Sequence, residues 1–209
     1  MNQLIRLDRQ LYLDVNRFAR HTGFAHSFMS PYAIYGGIVA LAIVGFVAYL
    51  RARPISLERV AGVVWVGAGT AIAVGLNQPL IHLIGRARPY VSITSAEVLV
   101  PKANDFTFPS DHATAAGAMI VGLFLVDRAA AIWAVFFGLV LVFARVYVGA
   151  HYPGDVLAGL IWGGLIVAIG KPIGMRIINP VVRSMSRTPL SFLVQSKGKV
   201  SSSPSQAGA

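Results

Sequence analysis

Residues 129–170 read AAAIWAVFFGLVLVFARVYVGAHYPGDVLAGLIWGGLIVAIG, two long apolar runs broken by a short segment that carries Arg145, His151 and Asp155. Ala129–Ala144 and Val156–Gly170 carry no charge. Each becomes long enough to cross a hydrocarbon core of about 30 Å once the flanking polar residues join its helix at about 1.5 Å per residue. Charged groups at that depth are costly and face a protein cleft rather than lipid. The pattern recurs upstream, where Pro31–Leu50, Val60–Ile84 and Ala113–Val126 are also uncharged runs. The pattern predicts an all-α, polytopic membrane helical bundle of five transmembrane spans.

Composition agrees. Of the 209 residues 56% are hydrophobic and 12% charged, with a mean hydropathy of +0.66, whereas soluble domains carry about a quarter charged residues. The chain contains no cysteine, which excludes a disulfide framework and thiolate chemistry. The net charge of +10 does not point to nucleic acid, because Lys and Arg are scattered between apolar runs without interleaved aromatics. Membrane topology and anionic lipid headgroups account for them. The N-terminus MNQLIRLDRQLYLDV lacks a signal-peptide layout. Over residues 1–22, Leu4, Ile5, Leu11, Tyr12, Val15 and Phe18 recur at helical spacing among Arg6, Arg9, Arg17 and Arg20, which fits either an amphipathic interfacial helix or an N-terminal cap helix. Residues 1–178 are read as one membrane domain with its catalytic core at 31–170. Residues 179–209 form a basic tail whose end, SSSPSQAGA, reads as disordered.

Five spans put residues 85–110 and 149–155 on the same face as the N-terminus. Ten of the 18 basic residues fall on the other face, at Arg51, Arg53, Arg59, Arg128, Lys171, Arg176, Arg183, Arg187, Lys197 and Lys199. Of the remaining eight, Arg86, Arg88 and Arg145 belong to the polar clusters. By the positive-inside rule the tail is then cytoplasmic, and the clusters open on the extracytoplasmic side of the plasma (inner) membrane.

Three polar clusters share that face: Arg86-Ala87-Arg88-Pro89, Phe108-Pro109-Ser110-Asp111-His112, and Arg145 with His151 and Asp155. Arginine presents a planar fork of donors that matches phosphate oxygens. Ser110 stands where a helix N-cap belongs, and free N–H groups at a helix start attract anions. Each residue also has a plainer role: Ser110 as a cap, Asp155 as a third-position carboxylate after Pro153, Arg86 as a snorkelling arginine, His82 as a packed histidine. The conjunction of all of them near the membrane favours a phosphate site. A metallohydrolase using His112, His151, Asp111 and Asp155 and a lipid-phosphate transporter are the competing classes.

Arg88-Pro89, Pro109-Ser110-x-His112 and Arg145-x5-His151-x3-Asp155 resemble, in order and interval, the three signature motifs of the type 2 phosphatidic acid phosphatase superfamily. Leu99-Val100-Pro101, Asp105 and Phe108–Ala113 look more narrowly like the bacitracin-resistance type of undecaprenyl-diphosphatase. The resemblance implies a lipid substrate such as polyprenyl diphosphate, or alternatively phosphatidate or phosphatidylglycerophosphate, and no metal or other cofactor. It implies that His151 attacks the terminal phosphorus, that Asp155 holds the other ring nitrogen, and that His112 protonates the departing oxygen. Arg88, Arg145 and Ser110 would cradle the phosphoryl oxygens. The motif's opening Lys is replaced by Ile81, so Arg86 is expected to substitute, with His82 and Lys102 as further candidates. Asp111, where many members have Gly, fits the diphosphatase subgroup and is grouped with the phosphate contacts.

Overall fold

The computed structural model describes residues 3–195, which contain helices and no strand. α1 (Gln3–His21) is followed by a 3-10 turn at Gly23–Ala25, α2 (His26–Pro31), a π turn at Tyr32–Gly36 and α3 (Gly37–Ala52). Then come α4 (Leu57–Ile84), the short α5 (Pro89–Ser92), α6 (Asp111–Phe124), α7 (Arg128–Tyr147), α8 (Pro153–Met185) and the short α9 (Ser191–Val194). Side chains satisfy the first free N–H groups of two long helices. Ser56 accepts from the Arg59 N–H at the start of α4, and Asp127 from the Ala129 and Ala130 N–H groups at the start of α7. Gly85 ends α4 at a φ of 60°, a left-handed conformation that glycine adopts without a Cβ clash. Pro31 has no N–H for the helical ladder, and the chain passes directly from it into the π turn.

Four helical stretches are long and apolar enough to cross a membrane: Gly23–Ala52, Leu57–Ser92, Arg128–Tyr147 and Pro153–Met185. Their outer faces expose large apolar side chains such as Ile132, Trp133, Phe136, Ile169 and Ile173, a surface suited to hydrocarbon rather than water. α6 is not among the four. It has 14 residues, about 21 Å at 1.5 Å per residue, and lies at the centre of the bundle against α3, α4, α7 and α8.

The tightest packing joins α6 to α8 through glycine. A Cβ at Gly163 would stand 1.9 Å from the Thr114 carbonyl oxygen, and one at Gly117 would stand 2.0 Å from that of Leu160. Small residues thus bring the two backbones into contact, as in membrane helix pairs generally. α4 joins the pair through Trp65, which lies over Gly170 and Gly174 and donates from Nε1 to the Val167 carbonyl at 3.1 Å. Leu41, Val60, Val66, Leu123 and Leu141 fill the core. α8 continues past residue 178 to Met185, because Val182 is still buried in that core. Beyond it, Tyr49 and Arg53 donate to the Leu193 and Phe192 carbonyls of α9. The SSSPSQAGA end lies outside the described residues.

α1 has two working faces. Leu4, Ile5, Leu7, Leu11 and Phe18 are exposed, whereas Tyr12, Asn16 and Ala19 are buried. Asn16 donates to the Glu97 carbonyl at 2.8 Å and accepts from the Glu97 N–H at 3.0 Å. The helix is therefore fastened to the 85–110 segment while its apolar side remains open.

Candidate active site

The 85–110 segment is joined to the turn between α7 and α8 by backbone bonds. Leu99 N–H donates to the Val148 carbonyl at 3.0 Å, and Ser110 N–H donates to the Asp155 carbonyl, in the first turn of α8, at 3.1 Å. His151 is buried between them at 3% exposure. Its Nε2 lies 3.1 Å from Arg145 Nη2 and 3.4 Å from Arg88 Nη1. Guanidinium nitrogens only donate, so these partners assign Nε2 as the unprotonated ring atom. The Nδ1–H then points to Thr107, with the carbonyl oxygen at 3.0 Å and the hydroxyl at 2.9 Å. Burial first, then the charges of Arg145 and Arg88, hold the His151 pKa well below the ordinary histidine value.

Asp155 does not touch the ring directly, since its Oδ2 is 3.8 Å from Nδ1. The Thr107 hydroxyl stands between them and donates to Asp155 Oδ2 at 2.6 Å. Asp155 also accepts from the Tyr152 N–H at 2.8 Å and from Arg86 Nη1 at 2.6 Å. One buried carboxylate thus serves the start of α8 and also holds Thr107 and Arg86.

Around this pair stand donors without partners. Ser110 occupies the N-cap position of α6, yet its side chain makes no cap bond, and its buried hydroxyl has no hydrogen-bond partner. Arg145 donates from Nη1 to the Ala33 carbonyl at 3.1 Å, while its buried Nε is unpartnered. Buried donors left unmade cost about 1–3 kcal/mol each, and an anion with several oxygens would satisfy both. Arg88 is held by Asp105 at 2.6 and 2.9 Å and by the Ala150 carbonyl at 3.1 Å. The Arg88 guanidinium in turn keeps the Asp105 carboxyl below the usual carboxylate range.

Residues 62–177 match the PAP2 superfamily. The chain belongs to that superfamily. It is 30% identical over 163 residues to undecaprenyl-diphosphatase BcrC of Bacillus subtilis, covering 78% of this chain and 79% of the relative. It is 37% identical over 115 residues to lipid A 1-phosphatase of Rhizobium etli, covering 48% and 47%. The fold is similar to the crystal structure of a transmembrane PAP2 type phosphatidylglycerolphosphate phosphatase from Bacillus subtilis, with a TM-score of 0.63, 20% identity, and coverage of 85% of this chain and 89% of that one.

Within this PAP2 chain the expected site residues divide. Arg88, Arg145, His151, Asp155 and Ser110 converge, and His112 sits beside them on the first turn of α6, its Nε2 donating to the Ile34 carbonyl at 3.2 Å. Ala33 and Ile34, which receive Arg145 and His112, both belong to the π turn. Two of the expected residues are engaged elsewhere. Asp111, grouped with the phosphate contacts, turns its carboxylate to Asn77 at 2.7 Å and to Gln78 at 3.0 and 3.1 Å. It therefore clamps α6 to α4, and as an acceptor it would repel a phosphate. Arg86, expected to replace the missing lysine, has both arms on carboxylates, Asp155 at 2.6 Å and Asp8 at 2.5 Å. His82 meets the Phe106 ring edge-on and Lys102 lies over Tyr90. Ile81 is buried.

Thr107 and Asp8 escaped the sequence reading. A polar Thr107 between Phe106 and Phe108 and an acidic Asp8 in an arginine-rich helix were the available signals. Among the described residues no three His, Asp or Glu side chains are arranged to hold a metal ion.

Proposed function

We propose that this chain hydrolyses a polyprenyl diphosphate to the monophosphate and inorganic phosphate through a phosphohistidine. The observation that carries the reading is the state of His151: a lone pair on Nε2 between two guanidinium groups, with the opposite nitrogen tied to Thr107. Such an imidazole is a competent nucleophile toward a phosphorus whose oxygens are held by the same arginines. Nε2 forms a bond to the terminal phosphorus, and the bond from that phosphorus to the bridging oxygen breaks. The departing lipid phosphate takes a proton from His112. Because Nε2–H of His112 is directed at Ile34, Nδ1 is the atom that exchanges the proton. A water, deprotonated by His112, then attacks the phosphorus; the N–P bond breaks, phosphate leaves, and His151 returns to its starting form.

Arg88, Arg145 and the Ser110 hydroxyl spread the charge on the equatorial oxygens, the part a metal ion would play elsewhere, so the reaction runs without one. The undecaprenyl-diphosphatase relative, matched over most of both chains, favours a diphosphate. The lipid A 1-phosphatase match favours a second reading, a lipid monophosphate.

α6 completes five crossings in this reading. Ser110 lies at the site end, whereas at the far end Leu125 accepts from Lys171 and Val126 lies against Gly62 at the start of α4. The site then opens outside the cell, where a polyprenyl diphosphate released by cell-wall glycan transfer is recycled without its charge crossing the bilayer.

The test is phosphate release by detergent-solubilised protein from polyprenyl diphosphate and from phosphatidate in excess EDTA, with trapping of labelled phosphoenzyme. Acid-labile, base-stable label on wild type but not on His151→Ala is expected. Wild-type turnover by His151→Ala refutes the mechanism, and activity lost to EDTA and restored by zinc or magnesium refutes metal independence.

A further inference from the structure

We propose that Asp8, on the N-terminal helix α1, is a positioning residue for the phosphatase site, acting through Arg86 on Asp155; this rests on the phosphohistidine reading above. The four side chains form a chain of contacts. Asp8 Oδ2 accepts from Arg86 Nη2 at 2.5 Å, Arg86 Nη1 donates to Asp155 Oδ1 at 2.6 Å, and Asp155 Oδ2 accepts from the Thr107 hydroxyl at 2.6 Å. Thr107 in turn orients His151. The other oxygen of Asp8 accepts from the Gly154 N–H at 2.7 Å. Asp8 thus holds both the arginine and the first turn of α8, on which Asp155 stands. Gly154 lets it approach, since a Cβ there would already lie 3.1 Å from the carboxylate.

Arg86 needs this second partner. Asp155 is fully buried, whereas the Arg86 side chain is 27% exposed and stacks over Tyr152 at 4.1 Å. It borders a cleft of about 690 Å³ lined by Leu4, Leu7, Leu11, Phe108 and Leu157. If this apolar cleft faces the bilayer, headgroup phosphates would compete for the guanidinium. With Asp8 on one arm the fork is fixed and the other arm stays on Asp155. Without Asp8, Arg86 is free to rotate toward the cleft, and Asp155 loses the cation that balances its charge. Asp8 makes no hydrogen bond or ion pair to His151, Arg88, Arg145 or Ser110, so its effect falls on the chemical step and not on substrate binding.

Kinetics of the full chain in detergent, with polyprenyl diphosphate and phosphatidate as substrates, test this. Asp8→Ala is expected to lower kcat about tenfold, below the roughly hundredfold that a misplaced catalytic group can cost, while KM stays within about twofold. In an Arg86→Ala background the same substitution is expected to cost nothing further, because residues that act as one unit are not additive. Asp8→Asn keeps an acceptor for Gly154 but loses the ion pair, and carries the same expectation should Asp8→Ala fail to fold. Asn16→Ala, which loosens α1 at Glu97 instead, separates positioning from stapling. It is expected to lower thermal stability without the loss of kcat.

Wild-type kcat in Asp8→Ala, additive losses in the double variant, or an equal loss of kcat in Asn16→Ala overturns the proposal alone. A wild-type chain that releases no phosphate from either lipid overturns the parent reading and this one with it.

Discussion

Thr107→Val isolates the link between the carboxylate and the imidazole. Valine has nearly the shape of threonine but cannot donate to Asp155 Oδ2 at 2.6 Å or accept from His151 Nδ1 at 2.9 Å. The backbone carbonyl of Thr107, 3.0 Å from Nδ1, remains, so the tautomer is kept while the carboxylate's influence on the ring is lost. A hydrogen bond to a charged group is worth about 1.5–3 kcal/mol. Expressed fully in the transition state, at about 1.4 kcal/mol per factor of ten, this lowers kcat by about 10- to 150-fold. KM is expected to change by less than about threefold, because the Thr107 side chain contacts His151 and Asp155 and not Arg88 or Arg145. The assay is steady-state phosphate release with single-turnover measurement of phosphoenzyme formation. Thr107→Ser, which keeps the hydroxyl, is expected to stay within about threefold of wild type. Wild-type kcat in the valine variant, or an equal defect in the serine variant, refutes the relay.

Three further outcomes are expected. Gly163→Ala places a methyl 1.9 Å from the Thr114 carbonyl, so α6 and α8 must separate. Thermal unfolding in detergent should show a loss of about 1–3 kcal/mol, with activity lost alongside, whereas Gly67→Ala, with nothing within 4 Å of the added carbon, should be neutral or stabilising by up to about 1 kcal/mol. Only neutral His151 attacks, so its protonation produces the acid limb of the rate profile. A pKa held down by burial, Arg145 and Arg88 moves that limb below the ordinary histidine value, and Arg88→Gln should move it up in the residual activity; substrate ionisation is common to both proteins, so an unmoved limb contradicts the assignment. On intact cells a membrane-impermeant maleimide should label Ala103→Cys and not Ser203→Cys, in a chain that has no other cysteine. The reverse pattern inverts the topology, and labelling of both or neither refutes the five-span count.

Much of the molecule was legible in the primary structure because hydrophobic length and residue chemistry are local properties. Uncharged runs, lengthened by their flanking residues, announced the four long helices, and arginines, histidines and an aspartate between them marked where a polar site is expected. What those residues do depends on which groups three-dimensional packing sets opposite them. Ser110 reads as a cap or as a ligand, and in the fold its hydroxyl is buried with no cap bond and no hydrogen-bond partner. Arg86 reads as a snorkelling arginine or as a phosphate ligand, and Asp8 and Asp155, 78 and 69 residues away along the chain, occupy both its arms. Asp111 is drawn off by Asn77 and Gln78 of α4, and Thr107 acquires its place only when the 85–110 segment is laid against the turn at His151. No spacing rule reaches such pairings, because a charge or hydroxyl takes its role from the nearest complementary group in space. That group was brought there by the glycine contacts that fix α6 against α8 and by the buried face of α1.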